Sequence, residues 1–155
     1  QTYKYYYMKK KYILLTSLLI ISLLTACGYK PVYSSKDFIF KINEIKHTKN
    51  KINNQIARSI KSISNDNATN SLNFEISSKK EKIVVSKNKS GDPEIYELKI
   101  FVNVLVKDKQ KTFLGKQVYN NTENKFELNE YEIQIENQII IKMIDEIIIF
   151  LLELK

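Results

Sequence analysis

The sequence predicts an α+β domain: a single antiparallel four-stranded sheet with two helices packed on one face, in the order β-α-β-β-β-α. Three observations carry this. Isoleucines recur at helical spacing in two separate stretches, around residues 52–63 and 140–151. Between them, residues 98–106 alternate strictly, with Leu98, Ile100, Val102, Val104 and Val106 on one face. The strand-like stretches there are joined by short polar turns at 87–93 and 107–111, as in an antiparallel meander.

The elements follow in order. Phe38, Phe40, Ile42 and Ile45 are spaced close to every second residue and predict a first strand over roughly 37–46. Ile52, Ile56, Ile60 and Ile63 share a helical face within 48–65, with Asn50 or Thr48 able to cap it. Residues 65–70 have no apolar period and read as a loop. Leu72, Phe74 and Ile76 start a second strand. The charges at 79–82 interrupt it before Ile83, Val84 and Val85 resume, as one bent strand or two short ones. The third strand is the alternating stretch, whose aliphatic face suits a sheet covered by helices. A fourth strand over about 112–120 carries Phe113, Leu114, Val118 and Tyr119.

Residues 121–129 are polar and read as irregular, with Asn129 as the cap of a terminal helix from Glu130 to the chain end. On that helix Ile140, Ile144, Ile147, Ile148 and Leu151 share a face, and Gln138, Lys142, Asp145 and Glu153 line the other. Its tail, 147–152, is apolar all round. A membrane span is the alternative, but Lys142, Asp145 and Glu146 would be costly in hydrocarbon. A strand at 147–152 also stays open, because isoleucine is a modest helix former.

The front of the chain is organised differently. Lys9, Lys10 and Lys11 precede an uncharged run, 12–24, which ends in small residues and the only cysteine, Cys27. Charged, apolar, then small is the layout of a secretory signal. The run is shorter than the roughly 20 residues of an ordinary membrane span. Residues 1–7 precede the first methionine, and Met8 is the more natural start. The expected organisation is therefore a signal over 1–26, a tether over 27–36 and one folded domain over 37–155.

The chain has 155 residues and a formal charge of +8. Four of its 25 basic residues and none of its 17 acidic ones precede Cys27, so the remainder carries +4. Nearly all the cations are lysine, with Arg58 the only arginine. A nucleic-acid binder usually carries a denser, arginine-bearing patch, so no nucleic-acid partner is expected. A mildly basic exported surface suits an anionic lipid or polysaccharide. One cysteine allows no internal disulfide, so the core alone must hold the domain.

No catalytic or metal set is recognisable. His47 is the only histidine and, at a strand end among lysines, reads as a surface residue. No Ser-His-Asp set is present. Gly28, Gly91 and Gly115 are too scattered for a phosphate loop. Asp145 and Glu146 read as solvated helix residues.

Leu24-Thr25-Ala26-Cys27 resembles the lipobox of bacterial lipoproteins, in which the signal is cut before a cysteine that carries diacylglycerol. An uncleaved anchor with an incidental cysteine is the alternative. The rest of the chain resembles the LPS-assembly lipoprotein family, LptE. The resemblance is carried by residues 27–33 (CGYKPVY), by 94–98 with 102–104, and by 118–120 followed by 129–131 leading into the long helix. It implies an α+β protein with no catalytic role, no cofactor beyond the acyl groups on Cys27, and a lipid anchor in the outer membrane facing the periplasm. The implied partners are a β-barrel resembling LptD, which the domain plugs and helps assemble, and lipopolysaccharide. Gly28 after the cysteine resembles lipoproteins sorted to the outer membrane. A family basic residue that contacts lipopolysaccharide at the tip between the second and third strands falls in Lys87-Asn88-Lys89, at Lys87 or Lys89, and a second, before the terminal helix, has Lys125 as its nearest match. Taken singly, each is equally well an ordinary solvated turn lysine. A lipid-anchored structural or adhesion module without a lipopolysaccharide role is the second reading, and an envelope enzyme ranks below both.

Overall fold

The computed structural model describes residues 40–154. The signal, Cys27, the tether and the first residues of the expected opening strand lie outside them. The described chain runs β1 (Phe40–His47), α1 (Lys51–Ser62), β2 (Asn70–Lys87), β3 (Pro93–Val106), β4 (Lys109–Asn120) and α2 (Lys125–Leu152). The strands form one sheet in the order β1-β2-β3-β4. Both helices lie on the same face, α1 over β1 and β2, α2 over β3 and β4, and they touch each other. The α+β class and the element order are those the sequence predicts.

The sheet is mostly, not wholly, antiparallel. β2–β3 and β3–β4 are antiparallel hairpins, whereas β1 pairs with β2 in parallel. Tight turns force antiparallel pairing, but α1 intervenes between β1 and β2 and carries the chain back to the starting end, which makes a parallel neighbour. A bulge between Ile42 and Glu44 keeps Phe40, Ile42 and Ile45 on the helix side.

β3 is the spine of the core. Leu98 is 3% exposed and Ile100, Val102, Val104 and Val106 are fully buried, while their alternate neighbours face the uncovered side. Ile52, Ile56 and Ile60 of α1 and Ile140, Ile144, Ile147, Ile148 and Leu151 of α2 complete the layer. Asn50 caps α1, accepting from Asn53 N–H at 2.7 Å, and also meets Ser78 of β2.

One element boundary is corrected and two open alternatives are settled. Of the one bent strand or two short ones allowed across 79–82, the chain forms the single strand: β2 is one 18-residue strand. Its lysines can stay in the ladder because Lys80 and Lys82, on the helix-facing side, find carboxylates on α2. α2 begins five residues earlier than expected, with Asn124 rather than Asn129 as its cap; the Asn124 side chain accepts from Phe126 N–H at 3.1 Å and from Glu127 N–H at 3.4 Å. Its polar first turns hid it from an apolar-period reading. The tail at 147–152 is helical, as expected, with Ile147, Ile148, Phe150 and Leu151 buried on one broad face and Ile149 left 44% exposed. Among the described residues no helix is long and apolar enough to cross a membrane.

Candidate functional site

One end of the sheet gathers the sequence-predicted lysines. There β2 ends, β3 begins, β4 ends and α2 begins. Asn88 organises the β2–β3 turn: its Oδ1 accepts from Ser90 N–H at 3.0 Å and Asp92 N–H at 2.9 Å. Gly91 completes the turn at φ +88, a conformation that glycine adopts without strain. With the turn held by its own backbone and Asn88, Lys87 and Lys89 are left exposed. The third lysine is tied to the same end. Lys125 Nζ donates to Asn121 Oδ1 at 3.2 Å, and Asn121 Nδ2 donates to the Pro93 carbonyl at 2.7 Å. Pro93 is the register partner of Lys87. The structure therefore brings Lys87, Lys89 and Lys125 to one end. Cys27 lies outside the described residues.

Around them stand exposed apolar side chains: Val84, Val85, Val118 and, at 73% exposure, Phe126. Acidic residues share this end too, namely Asp92, Glu94, Glu123, Glu127 and Glu130, all exposed.

Inward from this end lies an ionic layer that sequence reading missed. Glu136 of α2, 5% exposed, meets Lys80 of β2 at 2.7 Å and Lys51 of α1 at 3.0 Å, linking three elements. Burial alone would raise the Glu136 pKa, but hydrogen bonds and charge from Lys80 and Lys51 outweigh it and hold the carboxyl below its ordinary value. One helical turn away, Glu132 accepts from Lys82 at 2.5 Å and from the Tyr119 hydroxyl at 2.8 Å. Burial, the Glu132 hydrogen bond and the nearby charges raise the Tyr119 pKa, so the phenol stays protonated. Lys82 Nζ also sits 4.1 Å from the Tyr96 ring centroid, and Tyr96, Tyr119 and Tyr131 contact one another in series. The signal was available: Lys80 and Lys82 continue the period-two pattern of Phe74 and Ile76, and Glu132 and Glu136 occupy the same helical stripe as Leu128, Ile135 and Ile139.

Among the described residues no group of three or more potential metal ligands is close enough to share an ion.

No protein family matches the sequence, and neither does any curated protein. Solved structures do match. The chain is similar to rare lipoprotein B from Shewanella oneidensis (TM-score 0.55, 13% identity, covering 72% of this chain and 95% of that one). It is similar to an uncharacterized lipoprotein B from Nitrosomonas europaea (TM-score 0.57, 15% identity, 78% and 88% covered). A minor lipoprotein from Acinetobacter baumannii also matches (TM-score 0.53, 10% identity, 72% and 91% covered). At these identities the likeness is one of fold.

Proposed function

We propose that this chain is a lipid-anchored protein of the bacterial outer membrane, acylated at Cys27 and facing the periplasm. In this reading it plugs and helps assemble a β-barrel of the LptD kind and binds lipopolysaccharide on its way to the surface. It has no catalytic role. The observation that carries the reading is the fold: it matches nearly the whole length of solved chains called lipoproteins, and a lipobox-like Leu24-Thr25-Ala26-Cys27 stands ahead of it. A compact sheet-and-helix body suits a barrel lumen. Lys87, Lys89 and Lys125 on one end suit the phosphates of an acidic glycolipid. Two or three acyl chains on one cysteine give stable anchoring.

The second reading, a lipid-anchored structural module with no lipopolysaccharide role, is favoured by the five carboxylates that share the lysine-bearing end. Charge reversal separates the two. Changing Lys87, Lys89 and Lys125 to Glu should weaken binding of lipopolysaccharide by about tenfold or more, given what charge-assisted contacts contribute. Unchanged affinity would reject these lysines as the binding residues. Partner capture through a tag after Lys155 should bring down a large outer-membrane barrel, and its absence favours the second reading.

A further inference from the structure

α1 and the edge strand β1 run side by side, and the furrow between them is cationic. The outer stripe of α1 supplies Asn54, Ala57, Arg58 and Lys61, at the i, i+3, i+4, i+7 spacing that places them on one face. The opposing wall is the helix side of β1, with Ile42 and Ile45 at the bottom and His47 at the end. Lys49 closes that end, and the cavity is about 390 Å³. Ile42 and Ala57 are buried, at 5% and 8% exposure, so the floor is apolar and the rim is charged.

Among the described residues no carboxylate lines this furrow. The bulge at Asn43 turns Glu44 to the uncovered side of the sheet, where it borders a different hollow with Lys46 and Asn73. Lys49, Arg58 and Lys61 make no ion pair with any described residue, in contrast to Lys51 and Lys80, which meet Glu136. The neighbouring hollow, bordered by Lys51 and Gln55, shares Lys49 and Arg58 and adds no acid either. His47 Nδ1 lies 3.1 Å from the Thr48 carbonyl. That nitrogen must donate there, which makes Nε2 of the neutral ring an acceptor, so His47 marks the end of the furrow without donating to a phosphate.

We propose that the furrow binds the phosphate of an anionic amphiphile. The Arg58 guanidinium offers a planar fork that matches two phosphate oxygens, and Lys61 and Lys49 add point charges on either side. Ile42, Ile45 and Ala57 take the first methylenes of the attached chain, which a free ion would not use. The furrow involves none of Lys87, Lys89 and Lys125 and does not rest on their role.

The sequence supplies its own probes, because Arg58 and His47 are each the only residue of their kind. In a nitrogen-15-labelled full-length chain held in neutral maltoside micelles, each gives a single side-chain signal. Titration with dihexanoyl phosphatidic acid should shift both saturably, while zwitterionic dihexanoyl phosphatidylcholine leaves them in place. Arg58→Gln with Lys61→Gln, both exposed changes, should keep the amide spectrum and weaken binding, read at His47, by about tenfold or more. Lys109→Gln with Lys116→Gln, exposed on β4 and outside the furrow, should bind as the wild type does. Absence of a saturable shift overturns the proposal, as does wild-type affinity in the Arg58/Lys61 variant. Equal affinity for inorganic phosphate overturns the amphiphile assignment, and tighter binding of an acidic peptide reassigns the furrow to a protein partner.

Discussion

Gly115 shows how tightly one position can be specified. It sits on the helix-facing side of β4, opposite Ile100, directly under Ile139 and Met143 of α2. A Cβ built there would lie 2.2 Å from Ile139 Cγ2 and 3.1 Å from Met143 Sδ. Gly115→Ala should therefore cost about 1–3 kcal/mol, the usual range for overpacking. A denaturant melt measures it, and adding Ile139→Ala should recover part of the loss, since the two changes share one space. A variant as stable as the wild type would mean that α2 can shift away without cost. Asn50 is the second such residue. Asn50→Ala removes the cap of α1 and the contact to Ser78, so about 1–2 kcal/mol should be lost in the same melt. The cap was legible from the sequence because Asn50 directly precedes a clear isoleucine period. Gly115 was not, because nothing local distinguishes a glycine that admits a neighbour from one that merely bends a strand.

At the scale of elements, the ionic layer joins α1, β2 and α2 through Glu136. Its pKa is held below the unfolded value, so its contribution to stability is complete above that value, about 4.3, and is lost as pH falls through the lower folded value. Glu136→Gln should destabilise the protein by about 1–2 kcal/mol near neutral pH, less than a fully buried pair because Lys80 and Lys51 are half exposed and can be rehydrated. The difference in melting temperature between wild type and variant should shrink as pH drops from 6 toward roughly 3, as the linkage requires. A constant difference would contradict the role given to Glu136. This layer also explains where sequence reading of the elements stopped. The aliphatic alternation of β3 and the isoleucine stripes of both helices are written in residue type, and they placed the core correctly. The middle of β2 and the first turns of α2 are polar, and each makes sense only when the other is known to face it: Lys80 with Glu136, Lys82 with Glu132. The parallel β1–β2 pair was hidden for a related reason, since the crossover through α1 is a property of three elements together.

At the scale of the whole molecule, one face of the sheet is covered by both helices, and among the described residues no element covers the other, where Leu105 and Leu114 are exposed. The two ends of β2 differ as well, one paired with β1 under α1 and the other reaching out to the turn that carries Lys87 and Lys89. Sequence reading chose these lysines by resemblance, and Asn121 joins Lys125 to the same end through Pro93. It did not foresee the carboxylates around them or the cationic furrow beside α1, because both depend on which residues meet in space. The account of the molecule rests on the proposal that it is attached to a membrane through Cys27. Labelled palmitate fed to Gram-negative cells that express the full chain measures this directly. The account predicts label in the wild-type protein, recovered with the outer membrane, and none in Cys27→Ala. Unlabelled wild-type protein, or label that persists in Cys27→Ala, would contradict it.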